Sequence, residues 1–308
     1  MIKKRMVWGL ATLLVSVFLY SQPLVPSVLA ESASTVESIY PGLSTGVLQS
    51  ATLADMDKGT LLQGDGVEIQ TSFAEKIFGE VTPEIRKELE KNMFFLLERE
   101  ATREFIRRDA RAMGISVDQP EKEMGQAYVK RLTKGLTVTE AEARAFYDSN
   151  KEMVGGMPFE EVKGSIEPFL LQQKKEDIVD AHIANLGEEA HVRLNRDWVK
   201  QQADLALDNP VDRARASGKP TMAEFGATGC GPCDLMQPIL ERLRKKYPDK
   251  LNVVFVNVRK HHTLGARFGI RVIPVQVFYD AKGKEVFRHK GFYTEADVLK
   301  QVKKMGVE

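Results

Sequence analysis

Two cysteines, Cys230 and Cys233, are the only ones in the chain, and two residues separate them in Glu224-Phe225-Gly226-Ala227-Thr228-Gly229-Cys230-Gly231-Pro232-Cys233. A buried strand from Thr221 to Gly226 is predicted to turn at small residues and enter an amphipathic helix, with one thiol at its mouth and the other a turn further in. The first N–H groups of a helix lack partners and the helix dipole is positive there, so a thiolate at that end is stabilised. Cysteine pKa at such positions falls from roughly 8.5 to between about 3.5 and 7.5, and the thiolate is the reactive form. Cys230 reads as the nucleophile and Cys233 as its resolving partner. A disulfide closing so short a loop removes little entropy from the unfolded chain, which suits the pair to redox exchange rather than stapling.

Zinc is the competing chemistry for two nearby cysteines. Structural zinc takes four ligands, with histidines usually spaced by three to five residues. His261 and His262 are adjacent on an expected loop, so no metal site is expected. These two and His289 are read as solvated surface. No cofactor is expected.

The elements that must hold the thiols occupy 308 residues, enough for about two domains, with 43% apolar and 28% charged residues. Lys and Arg total 44 against 43 Asp and Glu, so the chain carries no electrostatic footprint for nucleic acid. Lys3, Lys4 and Arg5, an uncharged run from Met6 to Tyr20, and Val28-Leu29-Ala30 form the pattern of a secretory signal peptide over 1–30, cut after Ala30. An exported, periplasmic address follows, with an N-terminal membrane anchor as the alternative. In that compartment structural disulfides are common, which sharpens the contrast with a lone, closely spaced pair.

Ser, Thr and Gly dominate 31–59, which is expected to be a linker or arm. Gly64-Asp65-Gly66 suits a tight turn between extended pieces within Thr60 to Ile69. One long helix is expected from Thr82 as N-cap and Pro83 to Gly114, with Ile85, Leu89, Met93, Leu96, Leu97, Ala101, Phe105 and Ile106 on one face. Thr139-Glu140-Ala141-Glu142 is a capping box that starts another. A third runs from Phe159 to about Ala190, with Pro168 expected to kink it. A connector over 196–209 is expected to end at Asn209-Pro210. Beyond it strand Met222 to Phe225, a helix from Gly231 to Tyr247, strand Leu251 to Val258, a short helix, strand Ile270 to Tyr279, a turn at 280–284, a returning strand and a final helix alternate. That order implies a mixed sheet covered by helices.

The extended Gly-Asp-Gly segment, the long helix and the stretches from Thr139 and Met157 onward resemble the chaperone domain of SurA- and PrsA-type foldases, without a parvulin insert. The resemblance implies an all-α SurA-like domain over 60–195 that cradles unfolded segments or a second copy of the chain; a plain helical scaffold is the alternative. From 210 to 308 the element order and the CGPC motif resemble thioredoxin, an α/β fold. That resemblance implies a proton-transfer role for buried Glu224, a helix-bending role for Pro238, a cis Ile273-Pro274 facing the disulfide, and a groove-flanking role for Gly291. Backbone pairing at Ile273 would then hold an extended client segment. Glu224 is a methylene longer than the family's usual Asp, and Gly226 and Gly229 stand where the family carries aromatics. Asp234 adds a negative charge that opposes the helix dipole.

The two resemblances together imply an exported thiol–disulfide oxidoreductase, reductase or isomerase rather than oxidant. Its expected partners are client proteins with disulfides or unfolded segments and a membrane electron donor of DsbD or CcdA type, with a homodimer as a further expectation. The alternative is a holdase chaperone with a secondary redox domain.

Overall fold

The computed structural model describes residues 34–44, 46–79, 81–151 and 154–308. The expected signal peptide lies outside these residues. The first half contains α1 (Val36–Ile39), β1 (Thr52–Ala54), β2 (Thr60–Gly64), β3 (Val67–Gln70), α2 (Ser72–Phe78), α3 (Pro83–Glu90), α4 (Met93–Ala112), α5 (Glu121–Leu132), α6 (Glu140–Ser149), α7 (Phe159–Glu189), β4 (Arg193–Asn195) and α8 (Arg196–Ala206). Helices dominate, but β1, β4, β2 and β3 form a sheet in that order, so the all-α expectation is corrected. Two of its strands are only three residues long, too short for alternation to register in the sequence. Asp65 and Gly66 both take positive φ at the β2–β3 turn, the twist that a two-residue hairpin favours.

The stretch expected as a linker or arm, 31–59, is part of the core over its described residues. Val36, Leu43, Val47 and Leu48 are buried in one cluster with Phe94, Leu97, Leu194 and Val199. Its backbone is satisfied by neighbours: Val36 N–H donates to the Ala51 carbonyl at 2.8 Å and Thr52 N–H to that of Val192 at 2.9 Å. Polar residues there serve the fold, since buried Glu98 accepts from the Ser44 hydroxyl and from Leu48 N–H. The expected connector likewise packs inward, as α8 buries Val199 and Ala203 in this same cluster.

The single helix expected from Thr82 to Gly114 is two, α3 and α4, broken at Lys91 and Asn92. Asn92 is the N-cap of α4, and asparagine favours helix ends because its side chain competes for backbone hydrogen bonds. Thr139 and Glu142 close the capping box reciprocally. Helix α5 is an addition to the expected elements; Glu121 and Glu123 in its first turn and Lys130 and Arg131 in its last complement the dipole.

The second half runs α9 (Pro210–Arg215), β5 (Thr221–Gly226), α10 (Gly231–Lys246), β6 (Asn252–Asn257), α11 (His262–Arg267), β7 (Val275–Tyr279), β8 (Glu285–Lys290) and α12 (Glu295–Lys304). The sheet order is β6-β5-β7-β8, with β5 parallel to β6 and antiparallel to β7. Every residue of β5 is buried, and its alternation divides the core. Met222 packs with Met236, Leu240, Val298 and Val302 of α10 and α12. Ala223 and Phe225 face Val211 and Phe268 on the other side. The strand expected over 270–279 begins only at Val275, because Pro274 has no N–H to give a ladder.

A buried charged cluster joins the halves. Asp212 pairs with Arg215 at 2.9 Å and Arg267 at 2.7 Å, and all three are at least nine-tenths buried. Arg267 also donates to the carbonyls of Gly42 and Ala206, and Arg215 to that of Gly283. Asp212→Ala removes the carboxylate these two guanidiniums share, and is expected to cost about 3–5 kcal/mol in urea unfolding. A loss below about 1 kcal/mol would show that the cluster contributes little.

Candidate active site

Strand β5 delivers the chain to a turn at Ala227 to Gly229, and α10 begins two residues later. Gly229 takes φ of +74°, which a side chain resists, and no atom stands within 4 Å of where its Cβ would lie. The turn is braced from the end of β6 and the segment following it: Arg259 Nη1 donates to the Thr228 carbonyl at 3.0 Å and Asn257 Nδ2 to Thr228 Oγ1 at 3.3 Å. Neither Arg259 nor Asn257 carries a motif that marks it for this role in the sequence.

Cys230 is the N-cap of α10, in extended conformation, and its carbonyl accepts from Asp234 N–H at 2.9 Å. An N-cap side chain is aimed at the N–H groups of the second and third helical residues. The second is Pro232, so Cys233 N–H remains for a thiolate at Cys230. The two cysteines are disulfide-bonded, with Cα atoms 5.2 Å apart. Cys233 is 1% exposed whereas Cys230 is half-buried. Cys230 is therefore the more exposed of the two.

Glu224 shares a face of β5 with Met222 and Gly226, because alternate residues of a strand point the same way. A Cβ at Gly226 would lie 3.4 Å from Cys233 Sγ, so this face carries the inner sulfur. Glu224 is fully buried, and neither of its carboxylate oxygens has a hydrogen-bond partner among the described residues. Desolvation pushes its pKa up to about 8; the Gln276 amide, opposite in the β5–β7 register, acts in the other direction and is the smaller influence. Gln276 is itself buried with an unpartnered amide, so the two form a polar pocket in an apolar layer.

The space at Gly226 is filled from β6. A Cβ there would stand 3.1 Å from the Phe255 ring and 3.3 Å from Cys233 Cβ. Gly226→Ala is thus expected to overpack the site and cost about 1–3 kcal/mol, read as a lower urea midpoint. An unchanged midpoint would mean that Phe255 yields freely.

The Ile273-Pro274 bond is cis. Phe225 pairs with Val275 in the sheet, so Pro274 stands at the end of β7 beside the end of β5, the same end from which Cys230 projects. Gly291 N–H donates to the Pro274 carbonyl at 2.8 Å and brings the start of the last loop to that end as well. Pro238 lies inside α10. His261 and His262 are exposed at the start of α11. His289 is not solvated surface as expected: it stacks on Tyr293 at 4.2 Å, its Nε2 lies 3.0 Å from the Phe292 carbonyl, and burial lowers its pKa.

A family model described as a thioredoxin-like domain matches residues 207–306. Thioredoxin Y of rice chloroplasts (Oryza sativa) is 30% identical over 33% of this chain and 59% of that protein. The protein disulfide-isomerase erp38 of Neurospora crassa is 35% identical over 29% of this chain and 25% of its own length. The thioredoxin-like protein slr0233 of Synechocystis sp. is 30% identical over 30% of this chain and 89% of its own length. The chain thus spans little more than half of the first of these relatives and a quarter of the second.

Proposed function

Because the chain belongs to the thioredoxin family through its C-terminal domain, we propose that it is an exported protein-disulfide oxidoreductase that acts as a reductase or isomerase on client proteins. The carrying observation is the helix-mouth disulfide, with a half-buried outer cysteine and an inner sulfur against the face of β5 that also carries the buried acid Glu224. In the reduced protein the Cys230 thiolate attacks a client disulfide. One client sulfur leaves as thiolate and a mixed disulfide forms. Glu224 accepts the proton of the Cys233 thiol, and the new thiolate attacks the Cys230 sulfur. The second client thiolate leaves, two electrons have passed to the client, and the Cys230–Cys233 disulfide remains. A dithiol donor must then reduce it, and a membrane protein of DsbD or CcdA type fits an exported enzyme.

Ile273, Pro274 and Gly291 form the client side of the site, with the free backbone at Ile273 offered for strand pairing. The N-terminal helices serve to gather clients or to dimerise, as the SurA-like pattern suggests. Equilibration against a glutathione series tests direction. A potential near that of thioredoxin, about −270 mV, supports a reductase, and one near about −120 mV would overturn it in favour of an oxidase.

A further inference from the structure

Helix α7 is fastened to the redox half on both sides of Ile273-Pro274. Asp180 pairs with Arg271 at 2.6 Å, two residues before Ile273. Asp177 pairs with Lys290 at 2.8 Å, next to Gly291. Surface pairs of this kind contribute little stability; they mark where α7 meets the redox half.

Beside this contact is a cleft of about 1050 Å³, walled by α2, α4 and α7 on one side and by the segment from Ala266 to Arg271, with Arg288 and Lys290, on the other. Phe95, Leu96 and Ile77 line it, are half-buried, and belong to none of the packed cores. Apolar side chains left partly in water around a concave surface mark a docking site. The charged lining is of both signs, with Arg99, Arg103 and Lys76 set against Glu100 and Asp177, which suits polypeptide of mixed composition rather than an ion of one sign.

We infer that this cleft holds the extended segment flanking a client's disulfide while Cys230 attacks it, so that helices α4 and α7 form the second wall of the client site. The inference rests on the oxidoreductase reading above and deepens it. Continuity carries it: Arg271 and Lys290 belong both to the cleft wall and to the ends of the Ile273–Gly291 face. A chain paired at Ile273 needs to run only two residues, roughly 7 Å, to reach Arg271. Burial of Phe95 and Leu96 against the client would supply binding that a bare redox domain lacks.

The test uses the full chain carrying Cys233→Ser, in which a disulfide-bearing client such as insulin is trapped on Cys230. A photoreactive side chain at position 95 is expected to crosslink to the trapped client, and one at Met157, exposed outside the cleft, is not. Crosslinking at both positions alike or at neither overturns the inference, as does crosslinking at 95 to a second copy of the chain in the absence of client. Failure to trap any client counts against the oxidoreductase reading itself. As an independent measure, Phe95→Ser in the wild-type background is expected to raise KM for insulin about fivefold with kcat retained, the loss expected for part of one aromatic contact. An unchanged KM in the folded variant also overturns it.

Discussion

Replacing Cys230 with Ser is expected to lower insulin reduction by about 10³-fold or more, the scale on which loss of an attacking group acts. Serine is a favoured N-cap residue, so helix α10 keeps its start and the variant keeps its fold. The wild-type companion measurement is alkylation of the reduced protein across pH. Cys230 should react faster than a free thiol at neutral pH, because Cys233 N–H and the dipole of α10 favour the anion. Asp234 in the first turn acts against them. A Cys230 that reacts no faster than free cysteine would remove the basis for assigning it the attacking role, whatever the variant does.

Glu224→Gln should separate two effects of one buried acid. A carboxyl whose pKa rises from 4.5 to about 8 on folding binds its proton more tightly in the folded state. The stability this confers is fully present below about pH 4.5, declines as pH rises, and is exhausted above about pH 8. The swing is on the order of 5 kcal/mol, at 1.36 kcal/mol per unit. Glutamine cannot ionise, so oxidised Glu224→Gln should gain on the wild type in urea midpoint between pH 5 and 9. A difference that is flat with pH would show that Glu224 does not titrate as its burial dictates. In the reduced enzyme the same change removes the carboxylate proposed above as proton acceptor for Cys233, and mixed disulfides should persist longer above about pH 8, where the wild-type group is ionised. The structural and chemical consequences thus run in opposite directions, which a mere packing defect would not produce.

Much of the redox half is legible in the sequence because its chemistry is local. Small residues, two thiols and a helix follow one another in the chain, and Glu224 sits within a run short and apolar enough to read as buried strand. The position of Pro274 opposite this segment depends on the fold, but its neighbours Ile273 and Val275 already read as extended. What the sequence hides depends on distant partners. Three-residue strands carry no usable period, so β1 and β4 look like loop until each is placed beside the other. Arg267 looks like an ordinary surface cation in a short polar helix, yet it is buried because Asp212 and two carbonyls of the first half meet it there. Phe255 lies on a strand with no hint that its ring packs over Gly226. His289 looks solvated for a similar reason, since only the fold brings Tyr293 back over its ring.

The pairing of β1 with β4 also sets a schedule for biogenesis. The partner of Thr52 lies some 140 residues downstream, so the first sheet stays incomplete until most of the helices have been made. At 5–20 residues per second that interval is roughly 7–30 s, during which β1 waits without its partner strand. Thioredoxin-like residues then follow directly, so the nascent chain acquires its disulfide chemistry only after the preceding architecture has been able to close.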